Sequence, residues 1–135
     1  ELKDALARMN LRYVDLYYLH TPALGLDGDG KWTHRQICDI WKDMEECVRK
    51  GYTRHLGISN FNGQNVLDLL TYCKIKPIVN QIEYHPYLQQ AGLVEICQKN
   101  GVSVIAFSPL GRPGLHEDVN ILKDEVILEL GIDCH

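Results

Sequence analysis

The stretch KGYTRHLGISNFNGQNVLDLL, residues 50–70, carries three structural signals in succession. Gly51 reads as a helix stop, because glycine takes the left-handed conformation after a last helical turn without steric cost. HLGIS (55–59) is a short, largely apolar run suited to a strand. Asn62 is a good N-cap, and the helix it opens carries Val66, Leu69, Leu70 and Cys73 on one face. Helix, strand and helix thus follow one another.

The same rhythm extends in both directions. Upstream, Leu2, Ala5, Leu6 and Met9 fall at helical spacing and Asn10 ends the element. YVDLYYL (13–19) is β-branched and aromatic and reads as a strand, and ALGLDGDGKW (23–32) as a loop. Thr33 with Gln36 makes a capping box, which predicts a helix bearing Ile37, Ile40, Trp41, Met44, Cys47 and Val48 on one face with charges opposite. Downstream, IVNQIE (78–83) is a strand and Leu93, Ile96 and Cys97 mark a helix closed by Gly101. VSVIAF (102–107) is a strand stopped by Pro109, and Ile121, Leu122, Val126 and Leu130 predict one more helix ending at Gly131. Strict alternation predicts an α/β fold, a parallel sheet covered by helices. A doubly wound sheet is the second architecture of this kind, but no glycine-rich dinucleotide fingerprint follows any strand.

Bulk properties narrow the function. With 135 residues, 45% hydrophobic and 24% charged, the chain has the size and composition of one folded domain. A net charge of -4 supplies no electrostatic footprint for nucleic acid or an acidic membrane surface. No apolar run approaches a membrane span, and ELKDALARMN has no signal-peptide layout, so neither nucleic acid nor membrane is an expected partner. The five cysteines, at 38, 47, 73, 97 and 134, form no CxxC pair, which argues against a disulfide framework or zinc site and fits a reducing, cytoplasmic setting. Cys47, Cys73 and Cys97 fall on apolar helical stripes and read as small core residues. His34, His55, His85, His116 and His135 lack ligand spacing, and Asp27 and Asp29 read as a solvated turn, so no metal is expected.

A parallel α/β sheet gathers its chemistry at the carboxyl ends of the strands. Those ends are His20, then Ser59 and Asn60, then Asn80 and Gln81, then Phe107 and Ser108. Taken singly each has an ordinary explanation: a structural histidine, a helix entry, an interior polar contact, a core aromatic. Together they supply a hydroxyl, side-chain amides and an aromatic face, the mixture that suits a planar ring bearing a carboxamide. Nicotinamide is such a ring. A neutral imidazole at His20 can donate to a carbonyl oxygen on which negative charge develops.

In series, GISNFN (57–62), VNQIEYHPYLQ (79–89) and FSPLG (107–111) resemble the aldo-keto reductase family, and YVDLYYLHTP (13–22) is similar to its histidine-bearing strand. The resemblance implies a (β/α)8 TIM barrel, with residues 1–135 forming one partial domain, about strands four to seven, truncated at both ends. It further implies NADPH bound across the carboxyl face, a small-molecule carbonyl substrate reduced to an alcohol, and a monomer at full length. Carried over motif by motif, His20 resembles the histidine of the catalytic tetrad. Ser59, Asn60 and Gln81 resemble the carboxamide-binding trio. Phe107 stands where the family more often has a tyrosine stacked on the nicotinamide, and Ser108 and Leu110 begin the loop that crosses the pyrophosphate. Thr21 replaces a tryptophan frequent in the family, which makes that wall of the substrate pocket smaller and more polar. The family's acid tyrosine, its lysine and its aspartate match no residue here, so these 135 residues alone are expected to show no turnover. Two alternatives stay open: a nicotinamide-nucleotide-binding module without chemistry, as in the ion-channel β-subunit relatives, and an inactive truncated gene or splice product.

Overall fold

Four strands pair in parallel in the computed structural model of the chain, which describes residues 1–22, 25–26, 32–33, 35–114 and 120–133. The elements run α1 (Leu2–Met9), β1 (Val14–Leu19), β2 (Gly25–Leu26), β3 (Trp32–Thr33), α2 (Ile37–Arg49), β4 (Thr53–Ser59), α3 (Gly63–Tyr72), β5 (Val79–Glu83), α4 (Ala91–Lys99) and β6 (Ser103–Phe107). A 3₁₀ turn (Ile121–Lys123) and α5 (Glu125–Asp133) follow. The main sheet has the order β1-β4-β5-β6, so each strand lies beside its predecessor in the main sheet and the intervening helix crosses over.

The local signals hold where they are purely local. Asn10 ends α1 in the left-handed conformation, and Gly51 (φ +71°) follows the last turn of α2. Asn62 caps α3, its Oδ1 accepting from the Asn65 N–H at 2.9 Å. The capping box at Thr33 does not form. Thr33 pairs with Gly25 in a two-stranded antiparallel ladder, so its backbone is extended and α2 starts four residues later, capped by Gln36 without a side-chain bond. That ladder also replaces part of the expected loop. The last helix is likewise divided, into the 3₁₀ turn and α5, and Gly131 lies inside α5 rather than beyond its end. Asp27, Asp29, His34, His116, His135 and Cys134 lie outside the described residues.

The core sits between the sheet and its helices. Leu56 and Ile58 of β4 are fully buried against Trp41 and Met44 of α2, Val66 and Leu69 of α3 and Cys97 of α4, with Phe61 and Val102 completing the cluster. Tyr17, Leu19 and Val104 pack on the same side. Removing this apolar surface from water stabilises the fold by about 25 cal/mol per Å². One charged residue is drawn in against the expected pattern. Glu45 is 3% exposed, and its Oε1 accepts from the backbone N–H groups of Lys74 (2.7 Å) and Ile75 (3.0 Å), so a buried carboxylate stitches α2 to the loop after α3.

Side chains alternate across a strand. Because Tyr17, Leu19, Leu56, Ile58 and Val104 face the helices, the residues between them face the other way. Register puts Tyr18 opposite Gly57, Gly57 opposite Val79, and Val79 opposite Ser103 in one row on that inner face. The approach there is close: a Cβ on Gly57 would lie 2.8 Å from both Tyr18 Cε1 and Val79 Cγ1.

Candidate active site

One row further toward the carboxyl ends, the inner face carries Ser59 opposite Gln81, with His20 directly after β1. Phe107 ends β6 opposite Glu83. Strand alternation therefore sends His20, Ser59, Gln81 and Phe107 to the same side of the sheet, at the same end. Asn80, the other polar candidate on β5, points oppositely. It is 0% exposed within the helical core and donates to the Phe61 carbonyl at 2.9 Å. Its Oδ1 has no partner among the described residues.

The chain turns sharply after β4. Phe61 is anchored in the core, 1% exposed, and Asn60 takes the left-handed conformation (φ +61°) to bring it there. Asparagine tolerates this region better than most residues. The turn aims the Asn60 side chain back over the strand ends, where Nδ2 donates to the His20 carbonyl at 2.8 Å and to Ser59 Oγ at 3.2 Å. Ser59 Oγ donates in turn to the Gln81 carbonyl at 2.8 Å, and the Asn60 N–H donates to that same carbonyl at 3.0 Å. Three strand ends are thereby laced together by one hydroxyl and one amide.

This lacing decides which functions stay available. Both donors of Asn60 are engaged, leaving its Oδ1 as an acceptor. Ser59 donates once and accepts once, leaving one lone pair. The side-chain amide of Gln81 takes no partner among the described residues, so it retains both a donor and an acceptor. His20 is exposed, and its imidazole likewise takes no partner there.

Phe107 and Asn60 line a cleft of about 280 Å³ at the ends of β4, β5 and β6, together with Asn62, Glu83, Gln90 and Leu93, whereas His20, Ser59 and Gln81 do not line it. Ser108 follows in the left-handed conformation (φ +49°), and its Oγ accepts from Arg112 Nε at 2.8 Å. Leu110 is 54% exposed on the same loop and is not drawn into the cleft. Arg112 is a residue that the sequence did not single out. Its guanidinium carbon lies 5.6 Å from the centroid of the Phe107 ring, within cation–π range. Nothing in the spacing of FSPLGRPG distinguishes it from a solvated loop cation.

Among the described residues no cluster of three or more His, Cys, Asp or Glu could hold a metal ion. Burial pushes the thiols of Cys47, Cys73 and Cys97 upward, which keeps them protonated and inert. No helix among the described residues is long and apolar enough to cross a membrane.

A model of the Aldo/keto reductase family matches residues 1–125. Aldose reductase B of Dictyostelium discoideum is 40% identical over 125 residues, covering 82% of this chain and 40% of its own length. The NADPH-dependent aldose reductase GRE3 of Saccharomyces cerevisiae is 39% identical over 143 residues, covering 90% of this chain and 44% of its own. Among solved structures, Bombyx mori aldo-keto reductase in complex with NADP superimposes with a TM-score of 0.90 at 29% identity, over 98% of this chain and 44% of that one. The chain therefore spans less than half the length of these relatives, and its four parallel strands with their helices are part of a (β/α)8 barrel. It belongs to the aldo/keto reductase family.

Proposed function

We propose that the protein to which these residues belong reduces aldehydes and ketones to alcohols with NADPH, and that its nicotinamide is held at the ends of β1, β4, β5 and β6. The observation that carries this reading is the set of hydrogen-bonding groups left over once Ser59, Asn60 and Gln81 have laced the strand ends together. A carboxamide needs a donor for its carbonyl and acceptors for its two N–H groups. Gln81 Nε2 supplies the donor. Asn60 Oδ1, Gln81 Oε1 and the remaining lone pair of Ser59 are candidate acceptors. Phe107 supplies a ring face for the pyridine, and offset stacking there contributes about 0.5–1.5 kcal/mol beyond area burial. Ser108 and Leu110 lie on the loop that would run beside the pyrophosphate.

When bound, the reduced nicotinamide supplies a hydride to the carbonyl carbon. His20 donates a hydrogen bond to the carbonyl oxygen and stabilises the negative charge that grows on it. Thr21, directly after His20 at the end of β1, gives the substrate side a small polar wall. The proton that completes the alcohol belongs, by family, to a tyrosine whose motif none of the seven tyrosines here matches.

The test is aldehyde-dependent oxidation of NADPH by the protein in its full natural length, wild type against His20→Ala. The expected result is a fall in kcat of about a hundredfold or more with the NADPH affinity retained. An unchanged kcat would remove His20 from the reaction.

A further inference from the structure

We infer that Asn80, on the helix-facing side of β5, is a positioning residue for the nicotinamide site: it fixes the turn Ser59–Asn60–Phe61 and, through that turn, the carboxamide-binding groups and the end of β1. The Asn80 side chain is fully buried and does not line the strand-end cleft. Its Nδ2 donates to the Phe61 carbonyl at 2.9 Å. For its effect on cofactor this role rests on the nicotinamide site proposed at the strand ends, whereas the hold on the turn is independent of any ligand.

β5 grips the turn at successive points. The Gln81 carbonyl accepts from Ser59 Oγ at 2.8 Å and from the Asn60 N–H at 3.0 Å, and the Asn80 amide takes the Phe61 carbonyl. Between these points Asn60 is held at φ +61°, and its own Nδ2 reaches the His20 carbonyl at 2.8 Å. A left-handed residue other than glycine persists only where its surroundings over-determine it. The Phe61 ring is enclosed by the core, but apolar burial is non-directional and does not fix where the Phe61 carbonyl points. A hydrogen bond does.

The chemistry of Asn80 favours this role over packing. Its Nδ2 has a second acceptor in Cys97 Sγ at 3.8 Å, so both donors are engaged. Its Oδ1 is buried with no partner among the described residues, and a buried acceptor left unsatisfied is destabilising. A leucine of similar size would fill the space between Phe61 and Cys97 without that orphaned acceptor. What the amide supplies and leucine cannot is the bond to the Phe61 carbonyl, and that bond ends on the turn that carries Ser59 and Asn60.

The test is Asn80→Leu in the protein of full natural length, studied by amide hydrogen exchange and by titration with NADPH and with 2′-phospho-ADP-ribose, which lacks the pyridine. In the wild type the Asn60 N–H, although its residue is exposed, should exchange about a hundredfold or more slower than an unstructured amide. In Asn80→Leu it should exchange about tenfold or more faster relative to the slowest amides of β4, a ratio that a loss of global stability would not raise. The Kd for NADPH should rise about fivefold or more, while that for 2′-phospho-ADP-ribose stays within about twofold of wild type. An unprotected Asn60 N–H in the wild type, an unchanged exchange ratio, an unchanged NADPH affinity, or equal losses for the two ligands would each overturn the inference. Wild-type protein that binds the two ligands equally would instead remove the nicotinamide site, and the exchange ratio would still decide whether Asn80 holds the turn.

Discussion

The side-chain amide of Asn60 donates to the main-chain carbonyl of His20 at 2.8 Å, so the left-handed residue after one strand fixes the end of its neighbour. The positions of the proposed carbonyl-polarising group and the proposed carboxamide acceptor are therefore coupled through a single hydrogen bond. Two consequences for substitution follow from the geometry of Asn60 itself.

Asn60→Ala removes the bond to His20 and puts at φ +61° a residue that tolerates the left-handed region less well than asparagine, and it should lower stability by about 1–3 kcal/mol. Asn60→Gly loses the same bond without the conformational strain and should cost less. Urea denaturation of both variants checks the order, and an alanine variant as stable as the glycine one would show that strain at this turn is negligible.

Gly57 underlies the Ser59 row and has no room for a methyl group. Gly57→Ala would push a Cβ to 2.8 Å from Tyr18 and Val79, and the resulting overpacking should cost about 1–3 kcal/mol. A thermal melt indistinguishable from wild type would mean that β1 and β5 yield at this point more readily than the register suggests.

Glu45 should matter for stability in spite of its charge. Glu45→Ala strands the N–H groups of Lys74 and Ile75, at a cost of about 1–3 kcal/mol, whereas Glu45→Gln keeps an acceptor and should cost less. Chemical denaturation of the pair distinguishes this from a general charge effect, which would make the two substitutions equivalent.

The Tyr72 phenol gives the fold a dependence on alkaline pH. Its pKa rises from 10.0 to about 12 in the folded chain, so the folded state holds the proton more tightly than the unfolded one. The corresponding stability is fully present below pH 10 and is lost as pH climbs toward 12. Tyr72→Phe should flatten that part of the stability profile. An identical decline in the variant would assign the effect to other groups.

The four main strands and the helices between them were legible because each rests on signals a few residues apart: a short β-branched run, an Asn62 cap, a Gly51 stop. What escaped depends on partners distant in sequence. Thr33 looks like a cap until Gly25 pairs with its backbone. Glu45 looks solvent-facing until the loop after α3 brings two N–H groups to it. Asn80 and Gln81 look equivalent until strand parity sends one into the core and the other to the inner face. For the candidate site, the location of His20, Ser59, Gln81 and Phe107 at strand ends was readable from the sequence. The division of donors and acceptors among them was not, because it is set by the lacing of three strands. Arg112 against Phe107 was invisible for the same reason, since only the loop after β6 brings them together.

The most direct test of the nicotinamide site compares two ligands on one variant. In the full-length protein, Gln81→Leu removes the free side-chain amide on the inner face, and dissociation constants are measured for NADPH and for 2′-phospho-ADP-ribose, which lacks the pyridine. The variant is expected to lose NADPH affinity by about tenfold or more while its affinity for 2′-phospho-ADP-ribose stays at the wild-type value. Equal losses for both ligands, or none for either, would contradict this expectation.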